Sequence, residues 1–259
     1  MRMFILAAGT GSRLYPLTKN TPKSLLDLGH GSTLLESQIE AAIASEEIKE
    51  VCIITGYKSG QIEERIRSYA GNIRLRTVYN PFFESTNNLV SLWCAHLLME
   101  DQDFVITNGD NLYRSGLLKT HVIRHRQPGI YLTVSRKSGP YDEDDMKVVT
   151  DGDGNIARVS KEIPLQEAQA ESVGLVMVRG ERLRSIFANK VVNLLKNRDY
   201  LGRFWLETFN ALAHDGVFTK TLEIPADAWS EVDFHPDIAT IRAELSHTLM
   251  QSHVLDDKK

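Results

Sequence analysis

The reading of this chain turns on residues 3–25, "MFILAAGTGSRLYPLTKNTPKSL". The apolar run Met3–Ala8 is written for a strand buried on both faces. Gly9 and Gly11 then permit a tight turn and close approach of backbone N–H groups to an anion. Arg13, Lys19 and Lys23 follow, and fixed cations beside a glycine turn suit a polyphosphate. The stretch fits neither common phosphate loop. A Rossmann fingerprint needs a third glycine where this chain has Leu14, and no G-x-x-x-x-G-K-[ST] run is present.

Outward from that loop, apolar runs of strand length recur: "EVCIITG" at 50–56, "IRLRTVYN" at 73–80, "DFVITNGD" at 103–110, "GIYLTVS" at 129–135 and "ESVGLVMV" at 171–178. Helical patterns separate the early ones. "STLLESQIEAAIASE" carries a capping box from Thr33 to Glu36, and "SGQIEERIRSYA" and "NNLVSLWCAHLLME" follow. This alternation over residues 1–130 predicts parallel βαβ units in a sheet covered on both faces. Beyond it, "MKVVTDGDGNIARVS" reads as a hairpin around Asp151–Asn155. Helices are expected at Arg182–Lys196 and Phe204–Ala213, a strand at "TKTLEIP", and a last helix from about Pro236. The expectation is one α/β domain over residues 1–259, whose second half decorates and completes the sheet.

Composition excludes several classes. With 42% hydrophobic and 25% charged residues the chain can bury a substantial core. A net charge of −4 and a pI of about 6.1 argue against a nucleic-acid partner. No apolar run reaches the roughly 18 residues of a membrane span. Cys52 and Cys94 sit in apolar runs without metal or disulfide spacing, as core cysteines of a reducing compartment do, so a cytoplasmic setting is expected. Oligomeric state carries no signal, and a homodimer stays open.

"LAAGTGSRLYPLTKNTPKSLL", residues 6–26, closely resembles the signature of nucleotidyltransferases that join an NTP to a phosphorylated metabolite. The resemblance implies a Rossmann-like α/β fold with a mostly parallel mixed sheet, a β-hairpin insertion, and loss of pyrophosphate, with 1–130 as the NTP-binding half and 131–259 as the acceptor-binding and sheet-completing half. It places the nucleotide on Leu6, Ala7, Ala8, Gly9, Gly11 and Ser12, with Arg13 at the leaving β,γ-phosphates and Lys23 at the reacting ones. Asp110, just past a strand, and Asp233 in "WSEVDFHPDI" match the family's Mg²⁺ aspartates; Mg²⁺ prefers oxygen ligands and substrate phosphates. Glu231 and Asp237 lie nearby, the latter reading as a solvated first-turn residue. An acceptor phosphate is already ionised, so no general base is needed and catalysis is positioning plus charge neutralisation.

The branch is read from "VYNPFFESTNNLVSLWCA", residues 78–95, which resembles bacterial phosphocholine cytidylyltransferases and their phosphonate-using relatives. That resemblance makes CTP the donor and Asn87 and Asn88 nucleotide contacts, although Asn87 is also placed to cap a helix. Lys161 in "RVSKEIP" matches a family lysine that meets the acceptor phosphate. The acceptor pocket is expected from Tyr141 and Asp145 in "YDEDDMKV" and from Trp205 and Glu207 in "YLGRFWLETF". More carboxylate and less aromatic character than a choline cage points to a small amino-bearing phosphate or phosphonate. A sugar-1-phosphate uridylyl- or thymidylyltransferase and a silent nucleotide-binding module are the alternatives.

Overall fold

The computed structural model describes residues 1–29, 31–69, 71–233, 238 and 240. The helix expected from about residue 236, and Asp237 with it, lie outside the described residues.

Eleven strands and five α-helices are present among the described residues. In chain order they are β1 (Arg2–Ala7), α1 (Leu34–Ala44), β2 (Glu50–Thr55), α2 (Ser59–Ile66), β3 (Arg74–Tyr79), α3 (Asn88–Cys94), β4 (Phe104–Asn108), β5 (Asn111–Tyr113), β6 (Gly129–Ser135), β7 (Lys147–Thr150), β8 (Ile156–Ser160), β9 (Ala170–Arg179), α4 (Glu181–Leu194), α5 (Glu207–His214), β10 (Lys220–Ile224) and β11 (Trp229–Glu231). The main sheet runs β10-β6-β9-β4-β1-β2-β3, with the β7–β8 hairpin hung on β9. β4, β1, β2 and β3 are mutually parallel, as are β6 and β10, and β9 runs against both β4 and β6.

The period of two along β1 explains the layering. Phe4 and Leu6 enter one core with residues of α3, α4 and α5, whereas Met3, Ile5 and Ala7 enter the other with residues of α1 and α2. Both faces are therefore covered, and the strand is apolar throughout. Thr33 caps α1 through a complete capping box with Glu36. The hairpin turn is held by Asp151, whose Oδ1 accepts from the N–H groups of Asp153 and Asn155 at 2.9 and 2.8 Å. Cys52 is buried in the first core and its thiol is pushed up to about 12 by that burial; Cys94 is partly buried. Among the described residues no helix is long and apolar enough to cross a membrane.

One expectation needs correcting. The helix near residue 204 begins at Glu207, because the Trp205 N–H is held by Asn88 Oδ1 at 2.8 Å and the indole is buried. Between β10 and Asp233 the chain forms β11, a three-residue strand antiparallel to β5 and too short to show a sequence pattern.

Candidate active site

Strand order reverses between β1 and β4. From β1 the chain steps outward through β2 to β3, then returns through α3 to β4 on the other side. Parallel α/β sheets open a crevice at the carboxyl ends of strands at such a reversal. The loop after β1 and the turn after β4 both lie there, and a cavity of about 780 Å³ opens between them and the hairpin.

The loop is built to fold back on itself. Gly11 adopts φ 65°, a left-handed conformation that costs other residues energy. A β-carbon there would sit 2.9 Å from Thr18 Cγ2 and 3.0 Å from Lys23 Cβ. Thr18 Oγ1 donates to the Gly11 carbonyl at 2.9 Å, and Tyr57 OH donates to the Lys19 carbonyl at 2.7 Å. Leu14 anchors the loop in a small core with Leu26, Leu28, Leu34 and Val232. On the other wall Gly109 leaves no room for a side chain, since its β-carbon would lie 2.6 Å from the Leu6 carbonyl. Gln38 fixes that turn by donating to the carbonyls of Asn108 and Asn111 at 2.8 and 2.7 Å.

Across the cleft runs an alternating ladder of charge. Lys23 Nζ donates to Asp110 Oδ2 and to Asp233 Oδ1, each at 2.7 Å. Arg13 Nη1 donates to Asp233 Oδ2 and to Asp144 Oδ2, each at 3.1 Å. Lys161 Nζ donates to Asp144 Oδ1 at 2.7 Å and stands 5.5 Å above the Phe204 ring. Burial disfavours the Lys23 ammonium, but Asp110 and Asp233 outweigh it and hold its pKa above the ordinary lysine value. Burial likewise opposes the Asp144 carboxylate, and Lys161 and then Arg13 overcome it, holding the carboxyl below its usual range.

The same residues fit a divalent cation. Asp110, Glu231 and Asp233 offer oxygens that all lie within 4.8 Å of one another. Asp110 Oδ1 is buried with no hydrogen-bond partner, an orphan that a hard cation would satisfy. Glu231 is pushed up to about 8 by loss of hydration around its carboxyl and by the charges of Asp110 and Asp233.

A second charged cluster faces the cavity from the hairpin side. Lys137 Nζ donates to Asp145 Oδ2 at 2.6 Å and pairs with Glu171 Oε2 at 3.3 Å. Asp142 Oδ2 lies 3.4 Å from the same Nζ, so three carboxylates share one ammonium, and burial together with the Asp145 charge pushes Glu171 up to about 7. Lys147, fully buried, donates to the carbonyls of Asp142, Glu143 and Asp145 and so shapes the acidic loop from beneath.

The sequence-derived site residues divide. Leu6, Ala8, Gly9, Gly11, Ser12, Arg13, Lys23, Asn87, Asn88, Asp110, Asp145, Lys161, Trp205 and Asp233 all line the cavity, and Ala7 lines its narrow extension beside Gly109. Asn87 caps α3 by accepting from the Asn88 N–H at 2.7 Å, and its amide also donates to the Gly202 carbonyl. Trp205 is core as well as wall: its Nε1 donates to Asn108 Oδ1 at 2.9 Å. Tyr141 and Glu207 are not among the lining residues. Glu207 instead accepts from Asn210, whose amide pairs with the backbone of Val159 in β8. The reading of sequence missed Lys137, Asp144 and Glu171. Asp144 stood in the acidic run beside Asp145, but Lys137 and Glu171 carry no local signal. The β6–β9 pairing, Ser135 opposite Glu171, brings them together.

The sequence profile of the Nucleotidyl transferase family matches residues 2–155, which include the glycine loop and Asp110. The chain belongs to that family. As a nucleotidyltransferase it is 25% identical over 256 residues to the CTP:phosphoglutamine cytidylyltransferase of Campylobacter jejuni, across 92% of this chain and 98% of that one. It is 31% identical over 132 residues to the choline-phosphate cytidylyltransferase of Streptococcus pneumoniae, across 51% of this chain and 54% of the relative. Among solved structures, this nucleotidyltransferase matches the CTP:phosphocholine cytidylyltransferase from Streptococcus pneumoniae with a TM-score of 0.75 at 19% identity, covering 94% of this chain and 98% of that one. The inositol-1-phosphate CTP transferase from T. maritima matches with a TM-score of 0.75 at 18% identity, covering 93% and 94%. At such identities the structural likeness speaks for the fold, a mostly parallel α/β sheet flanked by helices.

Proposed function

We propose that this nucleotidyltransferase moves CMP from CTP to a small phosphate- or phosphonate-bearing amine, releasing pyrophosphate. The observation that carries the reading is the Lys23–Asp110–Asp233 cluster beneath the glycine loop at the sheet's switch point. The two curated relatives above, both named as cytidylyltransferases, support the choice of donor.

Residues 1–130 supply the donor side. The loop from Leu6 through Ser12 approaches the nucleotide with backbone N–H groups, and Asn87 and Asn88 face it from α3. Arg13 neutralises the β,γ-phosphates as they leave, and Lys23 neutralises the phosphates at the reacting centre. Asp110, joined by Asp233 and Glu231 from the second half of the chain, would hold Mg²⁺, which would supply charge neutralisation at the phosphate oxygens.

Residues 131–259 supply the acceptor side. Lys161 holds the acceptor phosphate, whose ionised oxygen attacks the α-phosphorus. The new P–O bond forms as the bond to the β-phosphate bridge breaks, and pyrophosphate departs with that electron pair. No proton moves in this step, in keeping with a cavity whose described lining contains no histidine. Asp145 and Glu171 face the acceptor's cationic end with more carboxylate than their single partner Lys137 neutralises. Phe204 adds one aromatic face. A primary ammonium brings the N–H donors those carboxylates accept, and a quaternary one brings none.

The test is kcat/KM with four NTPs and Mg²⁺ against 2-aminoethylphosphonate, phosphoethanolamine, phosphoglutamine, phosphocholine and glucose-1-phosphate. CTP with an acceptor bearing a primary ammonium should lead, by about tenfold or 1.4 kcal/mol. Equal turnover with UTP or dTTP overturns the donor. Phosphocholine ahead by the same margin overturns the amine, and glucose-1-phosphate ahead overturns the branch.

A further inference from the structure

Asp144 joins two cations that the reaction needs apart. Its Oδ2 accepts from Arg13 at 3.1 Å and its Oδ1 from Lys161 at 2.7 Å, so one carboxylate spans the gap between the glycine loop and the end of the hairpin. Each oxygen serves one cation, as two oxygens of a phosphate group would. The Asp144 side chain is half exposed, at 50%, and Arg13 is 47% exposed, so nothing in the packing locks the carboxylate there. Exposed pairs of this kind are each worth only about 0.2–1 kcal/mol.

We infer that Asp144 is an internal stand-in for substrate phosphate, holding together the cation proposed for the leaving phosphates and the cation proposed for the acceptor phosphate, and that it sets the threshold an anion must clear to enter. The inference rests on Lys161 and Arg13 being phosphate cations, as proposed above. An incoming anion must displace a carboxylate of charge −1. A phosphate monoester or phosphonate carries about −1.5 to −2 at neutral pH and wins the exchange. A carboxylate or phosphodiester carries −1, exchanges like for like, and gains nothing. Asp144 therefore raises the threshold for every anion alike, and the doubly charged ones that can react are those that clear it.

The experiment measures binding of inorganic phosphate and of dimethyl phosphate by calorimetry, without CTP and without turnover. Its outcome is thus independent of which nucleotide or amine the enzyme uses. Asp144→Asn should tighten inorganic phosphate by about three- to tenfold, the worth of two exposed pairs. Dimethyl phosphate should gain about as much, since both anions displace the same carboxylate. In a Lys161→Met background the gain should vanish, since the site between the two cations is then gone. Unchanged or weaker phosphate binding in Asp144→Asn overturns the inference, and so does a gain that survives Lys161→Met. Circular dichroism and the melting temperature of each variant confirm that folded protein was compared.

Discussion

At the loop end of the cleft, the charged groups come from short stretches of chain welded to strand ends; at the hairpin end, they come from segments that only pairing brings together. Arg13 and Lys23 belong to one turn held by Gly11, Thr18 and Tyr57, and Asp110 is two residues past β4. Lys137, Asp145, Glu171 and Lys161 belong to four separate segments between β6 and β9. On the proposed reading, the loop end carries the groups that chemistry on an NTP requires and the hairpin end those that select an acceptor. The donor side is then built mostly on local sequence, with Asp233 the exception that the β11–β5 pairing delivers, and the acceptor side on long-range contacts.

Five variants press on that contrast. Asp110→Ala or Asp233→Ala should strike hardest, lowering turnover by about a thousandfold with every acceptor while the melting temperature stays within a few degrees. Near-normal rates in steady-state assays of either would break the assignment of the loop end to catalysis. Lys23→Ala should cost about a hundredfold, mostly in kcat, because its charge matters most as the phosphates reorganise. A change confined to the KM for CTP would show ground-state binding instead.

Gly11→Ala sharpens the claim that the loop end is rigid by local construction. The left-handed conformation alone should cost about 1–2 kcal/mol in urea denaturation, and the clash with Lys23 Cβ should lower kcat as well. Stability lost with kcat intact would mean that the loop need not hold Lys23 in place.

The smallest effect concerns the hairpin end and its pH dependence. Glu171, pushed up from 4.5 to about 7, binds a proton in the folded chain that the unfolded chain has released. Stability from this group is therefore full below about pH 4.5 and is lost as pH rises through about 7. Glu171→Gln should flatten that decline, which one proton limits to about 1.4 kcal/mol per pH unit. Melting temperatures between pH 5 and 8 measure it. The same variant should alter kcat/KM for amine acceptors while leaving the KM for CTP alone, and an unchanged acceptor profile would detach this cluster from selectivity.

The parts whose physics is local were legible in the order of residues. Apolar runs without alternation marked strands covered on both faces, the capping box marked α1, and the Asp151–Asn155 turn marked the hairpin. The glycines and cations of residues 9–23 lie within one loop, so their spacing alone carried the expectation of an anion site, and "NGD" after an apolar run placed Asp110 at a strand's carboxyl end. The rest depends on contacts between distant segments. The β11–β5 pairing is three residues long, too short to leave a pattern, yet it sets Asp233 and Glu231 beside Asp110. The start of α5 was shifted by Asn88, more than a hundred residues away in sequence. Tyr141 and Glu207 read as pocket residues by type, but the direction of a side chain off a loop or helix depends on its neighbours, and here Glu207 is drawn to Asn210. Lys137 and Glu171 meet because β9 runs antiparallel to β6 in one register, and a register between distant strands is fixed by packing of the whole sheet rather than by any residue in it.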